Sequence, residues 1–463
     1  MTNAPEGRRD ENAGRIRWSM PAVLLLVLGL TTGCTGPAQP DLAWMYAPSR
    51  EVDQPPLVVI PGLMGTRLFD PDDGREVWPG GLSGLLLRDY GDLALELSGE
   101  ASRPQLSPGG LTDTVAGRDF YGSILRTLEQ AAGYRRAEIG QPSPGSSRTY
   151  YVFTYDWRRD LQKTAADLDR FIEGIRAARG DPDLRVDVVA HSMGGLMLRY
   201  FLRYGGQDVL DDNTLQPTMS GADKVRRTIL LGTPNLGTVD AVRALIQGRS
   251  PGLRTIQPET LASMPSMFQL FPHALVDWIV TADGEPLQRD QFDLRIWRRF
   301  QWSIFDPAVQ RRLSQQHGER WTPALQAQIE ATFERRLERA RRFVWSLTVP
   351  TPSTVPLVVF GGDCSYTPAR IVVEEMDGKS KVRLWPDEIR DPVPGTDYRR
   401  LMLEPGDGVV TKTSLLARKS VDPTVPRHAY TNFPLDYTFL LCAQHDRLTI
   451  NHSFQDNLLD ALL

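Results

Sequence analysis

The chain has 463 residues, 41% of them hydrophobic and 24% charged, with 53 Lys+Arg against 57 Asp+Glu and a formal charge of −4. This balance excludes a disordered chain, and a slightly acidic sequence with no basic block is not built for nucleic acid. Three cysteines exclude a disulfide-dense scaffold or a cysteine-rich zinc module, and the length allows roughly three domains or one large α/β domain with insertions.

The first segment is polar and carries Arg8, Arg9, Arg15 and Arg17, followed by an uncharged apolar run from Met20 to Leu30. That run falls short of the ~20 residues of a spanning helix and suits the core of a signal peptide. Thr31-Thr-Gly-Cys34 comes next and resembles the lipobox of bacterial lipoproteins, although Thr31 stands where that family usually has Leu. The resemblance implies lipidation at Cys34 after removal of residues 1–33, so that the chain is exported and held to a bacterial membrane by its lipid. Thr35, not Asp, follows the cysteine, which implies the outer membrane. An ordinary cleaved signal is the alternative.

Residues 34–54 read as a tether. Pro56–Pro61, Thr149–Tyr155, Leu184–Ala190, Arg226–Leu231 and Val355–Phe360 read as strands, several of them continuous apolar runs. Asp160 starts a helix whose apolar face is Leu161, Ala165, Leu168, Ile172 and Ile175, and Gly180 stops it. Strands alternating with helices predict a parallel sheet covered on both faces. Between the fourth and fifth strands, over a hundred residues carry little strand signal. There, Thr322-Pro323 begins a helix with Leu325, Ile329, Phe333, Leu337, Ala340 and Val344 on one face. Arg335, Arg336, Arg339 and Arg342 occupy the other, either solvated or facing anionic head groups. The expected organisation is thus a signal peptide over 1–33, a tether over 34–54, core over 55–237, a helical cap over 238–354, and core again over 355–463.

Val188-Val-Ala-His-Ser-Met-Gly-Gly195 carries the chemistry. A strand ends at Ala190, a helix with Leu196, Leu198, Tyr200 and Phe201 follows, and Ser192 lies between them. This is the context of a nucleophile elbow, whose sharp turn requires the small Ala190 and Gly194 two positions either side of the serine. A serine hydroxyl needs a positioned base, and the chain has six histidines. His191 adjoins the serine and points elsewhere, while His273 and His317 lie in the cap. In this fold the histidine follows the last strand. If Tyr437–Cys442 is that strand, His428 precedes it, His445 follows it, and His452 sits at the start of a terminal helix with Phe454, Leu458, Leu459 and Leu462. Position favours His445. The acid belongs in a loop between the fifth strand and that histidine. Asp407, flanked by Gly406 and Gly408, is the first candidate and Asp363 the competitor. Its role is to orient the imidazole and stabilise its protonated form. A Gly-containing loop after the first strand, Ile60-Pro-Gly-Leu-Met-Gly65, can aim a backbone N–H at an oxyanion together with the residue after the nucleophile. That suggests Leu63 and Met193 as donors.

Four segments together resemble lecithin:cholesterol acyltransferase and its relatives: Val59–Gly65, Tyr155-Asp-Trp-Arg158, Ala190–Gly194 with its helix, and Gly406–Val410. Gly232–Gly237 and Gln444-His445 add to the likeness. It implies an α/β-hydrolase fold and the set Ser192, Asp407 and His445, and it implies acyl transfer from a lipid ester to water or an alcohol without a metal or other cofactor. A small-ester esterase and a silent lipid-binding scaffold are the alternatives. Asp156 and Arg158 read as a buried ion pair bracing the sheet edge. No disulfide-closed lid loop of the family's kind is recognisable before Tyr155. Cys364 and Cys442 follow adjacent candidate strands, so either a disulfide or a buried reduced pair fits the sequence.

Overall fold

A computed structural model describes residues 39–463 except 82–83, 85–88, 99–105, 116, 142–147, 353–354 and 418–432. The expected signal peptide, Cys34 and His428 lie outside the described residues.

The centre is a sheet of seven strands: β1 (Leu57–Ile60), β2 (Arg135–Arg136), β3 (Thr149–Val152), β4 (Val186–His191), β5 (Val225–Leu231), β6 (Leu357–Gly362) and β7 (Leu435–Leu441), in spatial order β7-β6-β5-β4-β1-β3-β2. Every pairing is parallel. The fold is that of an α/β-hydrolase. Central strands are largely apolar because both faces are covered, and β1 is apolar and buried at all four positions. Alternation along each strand divides the core. Val58, Ile60, Val188 and Ala190 face α2 (Leu161–Arg179) and α3 (Met193–Tyr204). Leu57, Val59, Val189 and Phe360 face the other way, towards α1 (Gly122–Gln130) and the terminal helix α8 (His452–Leu462). The strand β2 has two exposed arginines and no apolar signal, so nothing in the hydropathy pattern marks it.

Asp160 caps α2 by accepting the Gln162 N–H, and Gly180 ends it in the left-handed region at φ +65°. Residues 42–52, expected as part of a tether, dock instead. The Tyr46 hydroxyl bonds the Asp456 carboxylate at 2.9 Å, and Arg148 donates to the Val52 carbonyl.

The insertion after β5 is mainly helical. It contains α4 (Val239–Gln247), α5 (Leu294–Arg299), α6 (Pro307–His317) and α7 (Pro323–Ser346). Trp297, Trp302, Phe271 and Phe333 form its interior, with Phe271 and Trp297 stacked at 5.5 Å. One short strand, Ile279–Thr281, pairs in parallel with Ile371–Met376, a segment that follows β6. The cap is thereby stitched to the second half of the core.

Arg335 on α7 is exposed, but the other three arginines of that face are turned to protein rather than to solvent or head groups. Arg336 donates to the carbonyls of Ala262 and Glu96 at 3.0 and 2.7 Å, and burial pushes its guanidinium down to about 10. Arg339 pairs with Asp160, Asp208 and Asp211, and Arg342 donates to the Leu210 carbonyl. Periodicity revealed an amphipathic helix but not that its charged face also meets protein.

A second excursion lies between β1 and α1. Its strands Thr66–Phe69, Glu76–Trp78 and Ser107–Leu111 form a small antiparallel sheet, followed by the hairpin Thr114–Val115/Arg118–Asp119.

Candidate active site

Strand β4 delivers Ser192 at its carboxyl end, between His191 and the first residue of α3. The turn holds Ser192 at φ +53° and ψ −126°, a backbone conformation costly for a side-chain-bearing residue and sustained only by its surroundings. Those surroundings are tight. A Cβ on Gly194 would stand 2.4 Å from the Pro61 carbonyl oxygen, and one on Gly62 would stand 2.8 Å from the Ser192 Cβ. Glycine at both positions lets the loop after β1 lie directly on the serine.

Asp407 reaches the site by a detour. After β6 the chain leaves as Ser365–Pro368 and returns as Leu403–Gly406, paired antiparallel with Ser365 opposite Gly406. The next residue, Asp407, therefore comes back over the end of β6, where a Cβ on Gly362 would meet its Cβ at 2.8 Å. Its Oδ1 accepts the N–H groups of Val409 and Val410 at 3.0 and 2.7 Å. Its Oδ2 accepts from His445 Nδ1 at 2.7 Å. His445, just beyond β7, stands with Nε2 2.9 Å from the Ser192 Oγ. The hydroxyl of Ser192, the imidazole of His445 and the carboxylate of Asp407 form one hydrogen-bonded chain.

The competing residues are engaged elsewhere. Asp363 pairs with Lys412 at 2.9 Å. His273 accepts from the Leu275 N–H, and burial lowers it to about 4. His317 stacks on Trp321, and His452 begins α8 while Asn451, not His452, caps it. His191 is bonded through Nδ1 to the Tyr121 hydroxyl at 2.7 Å, and burial and the neighbouring His445 hold it well below the usual histidine range.

The serine opens onto a cavity of about 960 Å³. Its wall draws on both excursions and on loops after the strands: Leu63, Met64 and Trp78 from one side, Leu253, Met267 and Leu270 from the cap, and Tyr366 and Val409 from the segment after β6. Leu253 and Tyr366 stay largely exposed at this cavity. The sequence offered no sign of Trp78, Tyr121, Leu253 or Tyr366 as wall residues, because each is an ordinary apolar residue in a loop or at an element end. Leu63 lines the cavity, and Met193 is the first residue of α3, where helix N–H groups lack intrahelical acceptors. Among the described residues no group of three or more His, Cys, Asp or Glu is placed to hold a metal.

Cys364 and Cys442 are joined as a disulfide with Cα atoms 5.0 Å apart, at the ends of β6 and β7, and both are exposed rather than buried. Asp156 and Arg158 form a bidentate ion pair with Arg158 Nη2 and Asp156 Oδ2 2.7 Å apart, both side chains almost fully buried. Arg158 also donates to the Leu93 carbonyl, so the pair anchors the excursion between β1 and α1 to the core.

The lecithin:cholesterol acyltransferase family model matches residues 131–311. That span includes Ser192 but not Asp407 or His445. No curated protein sequence matches the chain. Among solved structures, a chain of the Tle4–Tli4 complex is 14% identical with a TM-score of 0.55, and the match covers 88% of this chain and 97% of that one. A Bacillus licheniformis lipase, BlEst2 in its mature form, is 13% identical with a TM-score of 0.29 over 88% and 89% of the two chains. The first of these likenesses is one of fold.

Proposed function

We propose that the chain, whose residues 131–311 match the lecithin:cholesterol acyltransferase family model, is an α/β-hydrolase of that kind and transfers acyl groups from lipid esters through a serine acyl-enzyme. The observation that carries this reading is the Ser192–His445–Asp407 chain opening onto a mostly apolar cavity.

In the first step Ser192 Oγ attacks the ester carbonyl while its proton passes to His445 Nε2. Asp407 accepts from Nδ1 and stabilises the imidazolium. Its other oxygen is occupied by two backbone N–H groups, so the carboxylate cannot swing away. The carbonyl oxygen becomes an oxyanion, received by the N–H groups of Leu63 and Met193. His445 then gives its proton to the leaving alkoxide, and the acyl-enzyme remains. Water or an alcohol, deprotonated by His445, attacks it and restores Ser192. Apolar wall residues hold the acyl chain. Hydrolase and transferase differ only in which acceptor reaches the acyl-enzyme.

A fluorophosphonate probe tests the reading. The folded protein should be labelled, and Ser192→Ala should not. Absence of labelling, or equal labelling of the variant, would replace the enzyme with a lipid-binding scaffold. Incubation with phospholipid vesicles, with and without a long-chain alcohol, then distinguishes free fatty acid from a new ester. Lipid anchoring belongs to the same proposal. Cys34→Ala should move the exported protein from the membrane fraction to the soluble one, and unchanged fractionation would remove the anchor from this account.

A further inference from the structure

Tyr121, at the start of α1, stands among the groups around Ser192 although nothing in the mechanism above uses it. It is buried and lines the cavity. Its hydroxyl accepts the Gly62 N–H at 3.0 Å and is 2.7 Å from His191 Nδ1. The loop from Gly62 to Gly65 is caught between this hydroxyl and the nucleophile. A Cβ on Gly65 would lie 2.9 Å from the Tyr121 oxygen, and one on Gly62 would lie 2.8 Å from the Ser192 Cβ.

Hydrogen-bond accounting shows what this arrangement leaves open. Within the loop, the Gly62 N–H goes to Tyr121, and the Gly65 N–H goes to the Gly62 carbonyl at 3.1 Å. Among the described residues no acceptor takes the Leu63 N–H. The Tyr121 oxygen, already accepting from Gly62, has one proton to give, and the ring nitrogen within reach is His191 Nδ1. His191 is half-buried and lies against both Tyr121 and His445, with ring centres 5.6 and 5.0 Å away. In that place it stays neutral and can accept.

We propose that Tyr121 is a positioning residue: its hydroxyl, oriented by His191, fixes the Gly62–Leu63 peptide so that the Leu63 N–H faces the oxyanion formed at Ser192. His191, beside the nucleophile in sequence, thereby works through tyrosine and loop rather than as a second base. The inference rests on the reading of Ser192 as nucleophile. It adds that preorganisation of the oxyanion site depends on the side chain of the residue that immediately precedes α1.

Tyr121→Phe removes the one hydroxyl and keeps the ring. Turnover of a p-nitrophenyl ester is measured per serine titrated to completion with fluorophosphonate, so misfolded molecules are not counted. Losing an oxyanion donor outright costs about 100–1,000-fold in kcat, and misaligning one should cost about 10–100-fold. KM should stay within about twofold, and a trifluoromethyl ketone, which forms a tetrahedral oxyanion on the serine, should bind about 10–100-fold more weakly. A purely structural tyrosine would lower the titrated fraction or Tm and leave kcat per site unchanged. Unchanged kcat per site, or a loss confined to KM, overturns the role of Tyr121 and leaves the acyl-enzyme standing. Failure of the unmodified protein to label at all removes both.

Discussion

Asp407 holds His445 twice: its carboxylate accepts from the imidazole Nδ1 at 2.7 Å, and its carbonyl accepts the His445 backbone N–H at 2.9 Å. Ring and backbone are fixed by one residue, so only Nε2 is left to face the serine. Asp407→Asn keeps the carbonyl contact but puts an amide where the proposed mechanism needs a carboxylate to stabilise the imidazolium. We expect kcat on a soluble ester to fall by about 10⁴-fold, the scale found when a triad carboxylate becomes an amide. Asp363→Asn should lose only the ion pair with Lys412. The reverse pattern would make Asp363 the acid.

Stability should fall on mild acidification, and His273 is one cause. Burial lowers this histidine to about 4 in the folded protein, against ~6.5 when unfolded. Above pH 6.5 both states are neutral and the stabilisation is complete. Between pH 6.5 and 4 the unfolded chain binds the proton and the folded chain does not, so up to roughly 3 kcal/mol is lost. His191 acts in the same direction. Thermal melts at pH 7 and pH 5 should converge for His273→Asn relative to the unmodified protein. Equal slopes would show that His273 is not responsible.

The Cys364–Cys442 bond closes a loop of 78 residues. Constraining a loop of that size in the unfolded chain stabilises by about 4.5 kcal/mol in the chain-entropy account. Because both cysteines are exposed, a reductant should reach them in the folded protein. Free-thiol assay should find two more reactive thiols after native reduction, and Cys364→Ser/Cys442→Ser should unfold at clearly lower urea. Thiols that appear only in denaturant would contradict the exposed placement.

Removing one partner of a buried ion pair strands the other. Asp156→Ala would leave the Arg158 guanidinium buried without its bidentate acceptor. The expected destabilisation is about 3–5 kcal/mol, read by urea denaturation. The double replacement by apolar residues should recover part of it, since the desolvation cost disappears with the charges. A loss below about 1 kcal/mol in the single variant would mean the pair is hydrated.

What could be read from the sequence follows the range of each signal. Strand β4, Ser192 and α3 are contiguous, so local pattern sufficed. The boundaries of α2 were legible because Asp160 and Gly180 act within one turn of it. The ordinal rule that a histidine follows the last strand led to His445, and glycines either side of Asp407 marked a turn. The cavity wall was not legible, because Trp78, Leu253 and Tyr366 meet only after three separate excursions fold together. The arginines of α7 mislead for a related reason: their partners Asp208 and Asp211 are more than a hundred residues away. The strand Ile279–Thr281 is three residues long, too short for alternation to show.

Ser192 and His445 are 253 residues apart, and Asp407 arrives only through a ribbon that begins where β6 ends. A chain made from its amino end exposes the serine elbow long before β7 exists. Under the proposed mechanism the hydroxyl would have no base through that interval and would stay an inert alcohol. Reactivity would then begin only when the sheet's last strand docks, making the order of synthesis a safety catch as well.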